Sequence, residues 1–415
     1  MKRYELVLDE PDRVFFSGDE IKGHVAVTLD SNITVQGITI RLVGEACVAV
    51  PDTFRAPRTV DRRKRFNNKI SPSPGVHGES PARKLGNAGP FHQGKTYRFS
   101  AVERYFHHKE YLFGHKYSSF KEQLWKGSHN FAFQYTLPAQ LPSSFNGHFG
   151  FVRYYCESSV ERWRNKEVKR IYFSVANVTD INQVPKADCS SKDEKCTNSC
   201  FFCVPRGTII ASSEIRHRGY ACGETANITI DIHNMSNNDV TKTTVSIIQT
   251  ATYTCSQNLR HQEDERKVLS QELGSVLQSE SEHSVAKMLI PPLPPSSISQ
   301  DICKLINIQY RFEINMELKE SKGQLTLQMP LVIGNIPLRK NFENLEDESS
   351  YNYTKQFIIP FKLHKQRNLP QVWSEFSQNP EPTTCVYETT DFCPAYPFYR
   401  EKSKNKQCSP KETRV

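Results

Sequence analysis

Apolar and polar residues alternate with a period of two along much of the first 338 residues. Val25-Ala26-Val27-Thr28-Leu29, Ile38-Thr39-Ile40-Arg41-Leu42-Val43, Ile228-Thr229-Ile230-Asp231-Ile232 and Val245-Ser246-Ile247-Ile248 are short, rich in β-branched residues and bounded by Gly, Asn, Asp or Pro. Such alternation predicts strands with one buried face. Helical spacing with caps is hard to find; residues 263–277 are a weak helix candidate.

The strands recur in order. Ser17-Gly18-Asp19-Glu20 ahead of Val25 has a counterpart in Cys222-Gly223-Glu224 ahead of Ile228, and Gly18/Gly223 and Val35/Val240 share an offset of 205 positions. Leu137-Pro138, Leu141-Pro142-Ser143-Ser144-Phe145 pairs with Ile290-Pro291, Leu293-Pro294-Pro295-Ser296-Ser297-Ile298 at an offset of only 153, so the first copy carries 52 extra residues. Residues 54–97 are dense in Arg, Lys, Pro, Gly and Asn and lack alternation, as an inserted surface loop would. Arg153-Tyr154-Tyr155 and Gln309-Tyr310-Arg311 then open matching strands. Proline donates no ladder hydrogen bond, so the Pro-Ser-Ser segments are connections.

A duplication with conserved strand order predicts an all-β chain of two tandem immunoglobulin-like sandwiches. The expected domains are 1–178, with the insertion at 54–97, and 206–340. Between them, 179–205 is read as a cysteine-containing linker, and 341–415 as a flexible tail, polar and proline-punctuated.

Length and composition agree with this division. At 415 residues the chain exceeds one ordinary core, and 37% hydrophobic with 11% aromatic residues suffices to build two. No apolar run approaches the roughly 18 residues that would cross a bilayer. Asp9 and Glu10 stand where a signal peptide would be apolar, so a cytoplasmic location is expected. In that compartment the sequons at Asn32, Asn177, Asn227, Asn234 and Asn352 are strand and turn sequence, and the 12 cysteines are mostly reduced. The net charge of +9 is concentrated locally, which predicts a basic patch and no nucleic-acid partner.

The same landmarks resemble the arrestin family, in its arrestin domain-containing (α-arrestin) branch. They are Gly127-Ser128-His129-Asn130-Phe131, the Leu137-Pro138 to Phe145 connection, Gly150 to Tyr154, Arg218-Gly219-Tyr220 and Met329-Pro330 to Leu338. The resemblance implies two arrestin sandwiches with curved inner faces. It implies a non-enzymatic adaptor at the plasma membrane or endosomes, linking cytosolic segments of membrane proteins to endocytic, sorting or ubiquitination machinery. Arg162-Trp163 stands where the family usually has Pro-Trp, and the basic insertion is long, which marks a divergent member. A relative that binds thioredoxin does so through a cysteine; the comparable stretch, Asn234 to Val240, has none. A retromer-associated sorting scaffold and a redox- or zinc-dependent regulator are the alternative readings.

Candidate sites follow. His107, His108 and His115 invite an acid–base reading, but their aromatic neighbours suggest the amphipathic edge of the insertion, and no catalytic residue or cofactor is expected. Cys189, Cys196, Cys200 and Cys203 supply four thiols, though without the paired Cys-x2-Cys knuckles of a zinc ribbon. Arg62, Arg63, Lys64 and Arg65 form the basic patch, which reads as a solvated loop, a contact for an acidic membrane surface or a nuclear-import signal. The family's tail motif, Pro-Pro-x-Tyr for WW domains of HECT-type ubiquitin ligases, is degenerate here as Cys393-Pro394-Ala395-Tyr396. Thr413 and Val415 match the C-terminal pattern read by PDZ domains.

Overall fold

The computed structural model describes residues 1–51, 97–115, 122–162, 165–201, 204–255, 260–299, 301–319, 324–339 and 392–398. Its first half runs β1 (Arg3–Leu8), β2 (Val14–Phe16), β3 (Glu20–Leu29), β4 (Ile33–Val35), β5 (Gly37–Pro51) and β6 (Tyr97–Gly114). It continues with β7 (Glu122–Leu124), β8 (Gly127–Thr136), β9 (Phe145–Asn146), β10 (Gly150–Glu161) and β11 (Lys166–Ala176). The second half runs β12 (Ser191–Phe201), β13 (Val204–Ile215), β14 (Gly219–Ala221), β15 (Thr225–Ser236) and β16 (Val240–Cys255). Then come β17 (Arg260–Val276), β18 (Ser281–Leu289), β19 (Ile306–Leu318) and β20 (Gln324–Gly334).

Each half is a sandwich of two sheets. The first stacks β1-β3-β8 on β2-β11-β10-β5-β6; the second stacks β12-β13-β15-β18 on β14-β20-β19-β16-β17. Alternation explains which residues go inside. On β3, Ile21, Val25, Val27 and Leu29 are buried while the intervening positions are not, and on β15 Ala226, Ile228, Ile230 and Ile232 repeat the pattern. The central strands β10 and β5 bury most of their positions.

The duplication reaches individual hydrogen bonds. In the first copy, Ser144 donates its N–H to the Val175 carbonyl and its Oγ accepts from the Val175 N–H. Ser296 makes both bonds with Ile333 in the second. Beside each, a buried tyrosine hydroxyl holds the preceding proline carbonyl, Tyr154 to Pro142 at 2.6 Å and Tyr310 to Pro294 at 2.8 Å. The Pro-Ser-Ser segments are thus connections pinned along the last strand of each copy, as their prolines require.

The length difference is also placed. The hairpin between β5 and β6 spans 52–96, whereas that between β16 and β17 spans 256–259. Nearly all of the 54–97 insertion, with Arg62, Arg63, Lys64 and Arg65, lies outside the described residues.

Two expectations are corrected. Residues 263–277 fall almost entirely within strand β17, which pairs with β16 alone. Its period of two is broken by register shifts that leave Val268 and Leu273 as extra residues, so the apolar spacing imitates a helix. Charged residues crowd it because it is a sheet edge, where they blunt unwanted pairing. Likewise 179–205 is more than a linker. It holds a 3-10 turn (Ile181–Gln183) and then β12, an antiparallel partner of β13 that forms an edge of the second sandwich. The same edge logic gave β12 its linker-like Lys192-Asp193-Glu194-Lys195 composition.

Candidate functional site

The two sandwiches meet along a seam, and part of the tail lies beside it. At one end the chain leaving β11 joins the second domain. Thr179 and Asn335 exchange hydrogen bonds, Asp180 bridges to Ile336, and Asn182 Nδ2 donates to the Pro337 carbonyl at 2.9 Å. Ile181 is fully buried there, seated against Gly219 and Gly334, where a Cβ would come within 2.2 and 2.4 Å of it. At the other end Phe149 meets Tyr253 edge-on at 5.6 Å, and the Lys304 N–H donates to Glu103 Oε2 at 2.9 Å. Buried apolar residues of both sandwiches form one continuous core across this seam.

Residues 392–398 dock on the first sandwich beside it, and Phe398 packs on the shared core. Asn146 on β9, oriented by a 3.0 Å bond from Arg153 Nε, donates Nδ2 to the Phe392 carbonyl at 2.9 Å. The Phe392 ring stacks on Tyr172 of β11 with centroids 5.4 Å apart. Ser174, also on β11, accepts the Ala395 N–H at 2.9 Å. Tyr396 is 4% exposed and donates its hydroxyl to the Ser144 carbonyl at 2.9 Å. Burial pushes the Tyr396 phenol well up, with Cys393 and Cys222 adding to the shift and Arg266 opposing it. Tyr396 in turn helps raise the Tyr310 phenol, whose main cause is its own burial. The Tyr396 hydroxyl is therefore bonded to Ser144 of the first sandwich and lies within electrostatic reach of Cys222, Arg266 and Tyr310 of the second.

The segment expected to carry a partner motif packs on the chain's own body. Pro394 and Tyr396 are buried against the body, and Ala395 is tied by its backbone. Periodicity could not reveal this docking. The available signal was Phe392, Tyr396, Phe398 and Tyr399 close together in a polar tail, more aromatic surface than a solvated segment carries.

The remaining candidates do not converge on this seam. His107 and His108 lie within β6, opposite Val43 and Leu42, not on the edge of the insertion. Burial, followed by the charges of Arg41 and Arg104, lowers the His107 pKa. Cys189 is exposed, and Cys196 is an exposed residue of β12 opposite Ile210. The Cys200 side chain and Cys203 lie outside the described residues, as do Thr413 and Val415. Among the described residues no group of three or more His, Cys, Asp or Glu is placed to hold a metal ion. The eight described cysteines are free thiols. Cys222, pushed to about 12 chiefly by burial, accepts the Leu293 N–H at 3.3 Å and is a packing group. Asn234, near the end of β15, is 1% exposed and bonded to Ser236, Asn238 and Leu277, so its side chain serves the structure there. No helix among the described residues is long and apolar enough to cross a membrane.

The architecture defines a tandem β-sandwich protein with an interdomain seam. Residues 4–182 match the arrestin (or S-antigen) N-terminal domain and residues 205–338 the arrestin (or S-antigen) C-terminal domain. The chain belongs to the arrestin family, on its α-arrestin side. It is 29% identical to arrestin domain-containing protein 17 of Caenorhabditis elegans over 81% of this chain and 71% of that protein. It is 27% identical to arrestin domain-containing protein 1 of Rattus norvegicus over 53% of this chain and 49% of that protein. Human arrestin domain-containing protein 5 is 24% identical over 80% of this chain and 87% of its own length. The matched region thus spans about half of the rat relative, and those relatives' partners are not transferred with the fold.

Proposed function

We propose that the chain is a non-enzymatic adaptor that links cytosolic segments of membrane proteins to endocytic, sorting or ubiquitination machinery. The observation that carries this reading is the pair of arrestin sandwiches joined across an apolar seam. Two binding bodies held together raise the effective concentration of one partner near the other, so each contact can be weak. Strands β8 and β18 end their sheets and offer backbone groups to which an extended peptide can add.

In this reading Pro394 and Tyr396 serve WW domains of HECT-type ligases, and Thr413 with Val415 serves a PDZ domain. Arg62, Arg63, Lys64 and Arg65 contact acidic lipid at the plasma membrane or endosomes. Proximity labelling with the full chain in cells tests the whole scheme. Membrane receptors and ubiquitin ligases are the expected neighbours. A set made of retromer subunits or thioredoxin-type enzymes, without receptors, would overturn it.

A further inference from the structure

We propose that the seam between the two sandwiches is a binding site for an extended Pro-x-Tyr-Pro peptide, with residues 392–398 as its resident ligand. The inference stands apart from the adaptor reading, because it concerns how this chain holds its own segment. Burial alternates along that segment: Pro394 and Tyr396 are buried, Cys393 before them is exposed, and Ala395 between them is half-buried. A two-residue period of this kind belongs to an extended strand lying on a surface.

The contacts divide into general and selective ones. Asn146 to the Phe392 carbonyl and Ser174 to the Ala395 N–H hold backbone groups, and any extended peptide could make them. Tyr396 supplies the selection. Its ring is buried, and its hydroxyl satisfies the carbonyl of Ser144, a residue whose N–H and Oγ are already committed to Val175. A buried tyrosine needs such an acceptor, and a phenylalanine there would leave the carbonyl unpaired. The position after Tyr396 is Pro397, which has no N–H to satisfy, and Phe398 packs on the shared core.

One consequence concerns access. A WW groove and the seam would both take the Pro394 and Tyr396 side chains, so occupancy of one excludes the other. An external peptide must displace a segment covalently attached to its site.

The test uses the full chain and a fluorescent synthetic peptide with the sequence of residues 388–402. The Tyr396→Ala chain, its seam vacated, should bind the peptide at least about ten-fold more tightly than the wild-type chain. A peptide with Phe at the tyrosine position should bind the Tyr396→Ala chain about five-fold more weakly, and Ser174→Ala added to that chain should cost a similar factor. Hydrogen exchange on the wild-type chain gives a reading that needs no variant: the Ala395 amide should exchange at least about ten-fold more slowly than an unprotected amide. Equal peptide affinity for the two chains, no peptide binding by a folded Tyr396→Ala chain, or an unprotected Ala395 amide would each overturn the proposal. If Tyr396→Ala fails to fold, the wild-type exchange rate decides.

Discussion

Replacing Tyr154 by Phe and, separately, Tyr310 by Phe removes the same hydroxyl from equivalent places in the two copies. Both rings are buried, so neither loss is made good by water. Tyr154 donates to the Pro142 carbonyl at 2.6 Å, and its removal strands that one acceptor. The expected cost is about 1–2 kcal/mol, one neutral hydrogen bond plus the desolvation of its partner. Tyr310 donates to the Pro294 carbonyl at 2.8 Å and also accepts Gln249 Nε2 at 2.7 Å. Gln249 is 4% exposed, so Tyr310→Phe strands a donor as well as an acceptor. Its cost should be about 2–4 kcal/mol, roughly double. Two sandwiches are not guaranteed to unfold in one step, so a single midpoint is the wrong measure. Hydrogen exchange of the slowest amides in β5 and β10, against those in β16 and β19, assigns each loss to its own copy. A Tyr154→Phe loss equal to or above that of Tyr310→Phe, or losses below about 0.5 kcal/mol in both, would refute the reasoning.

Other expectations follow from particular contacts. Glu157 is held by Arg41 at 2.6 Å and Arg170 at 3.0 Å. Burial alone would raise its carboxyl, but the Arg170 hydrogen bond and both guanidinium charges outweigh that and hold it below the usual range. A depressed carboxylate contributes its stability above the unfolded value, about 4.3, and loses it as pH falls through the folded one. Glu157→Gln should therefore cost about 2 kcal/mol at pH 7, discounted because both arginines are partly solvated, and the gap to wild type should narrow in denaturant titrations as pH falls below the unfolded carboxylate value. Gly334→Ala should cost about 1–3 kcal/mol by driving a methyl into Ile181, and Ile181→Ala in the same chain should relieve part of that loss in thermal unfolding. Replacing residues 52–96 with Ser256-Gln257-Asn258-Leu259, the shorter hairpin of the second copy, should leave exchange protection in β5 and β10 unchanged. Appending one glycine after Val415 should abolish capture of the tail by a PDZ-domain panel, whereas Arg414→Ala should not.

What the sequence made legible was the part governed by local rules. Strands such as β3 and β15 bury one face and therefore alternate, and the Pro-Ser-Ser connections carry residues that a sheet rejects. Edge strands were less legible. In β12 and β17 both faces keep solvent contact, so charge replaces alternation, and bulges in β17 shift the register. The docking of residues 392–398 was invisible for a different reason. Its partners, Asn146, Ser144 and Ser174, lie more than 200 positions away, and each hydrogen bond to them has a backbone group on one side, so neither end of the pairing is specified by a local residue pattern.

The duplication also explains why the first copy is able to offer a carbonyl to the tail. Ser144 spends its N–H and its hydroxyl on Val175, and Tyr154 fixes the carbonyl two residues earlier, so the Ser144 carbonyl is held in place by bonds that serve the fold. An acceptor fixed in this way costs little further ordering when a hydroxyl reaches it. Tyr172 and Ser174 on β11 are positioned by the same strand that Val175 anchors, so the surface under residues 392–398 follows from the pinning of one connection. Ser144→Gly should therefore act twice. It should loosen β11 by loss of the hydroxyl bond to the Val175 N–H, at about 1 kcal/mol or more, and raise exchange at Ala395 even though the Ser144 carbonyl itself remains. Faster exchange in β11 with Ala395 unchanged would separate the two effects and show that the tail does not depend on the pinned connection.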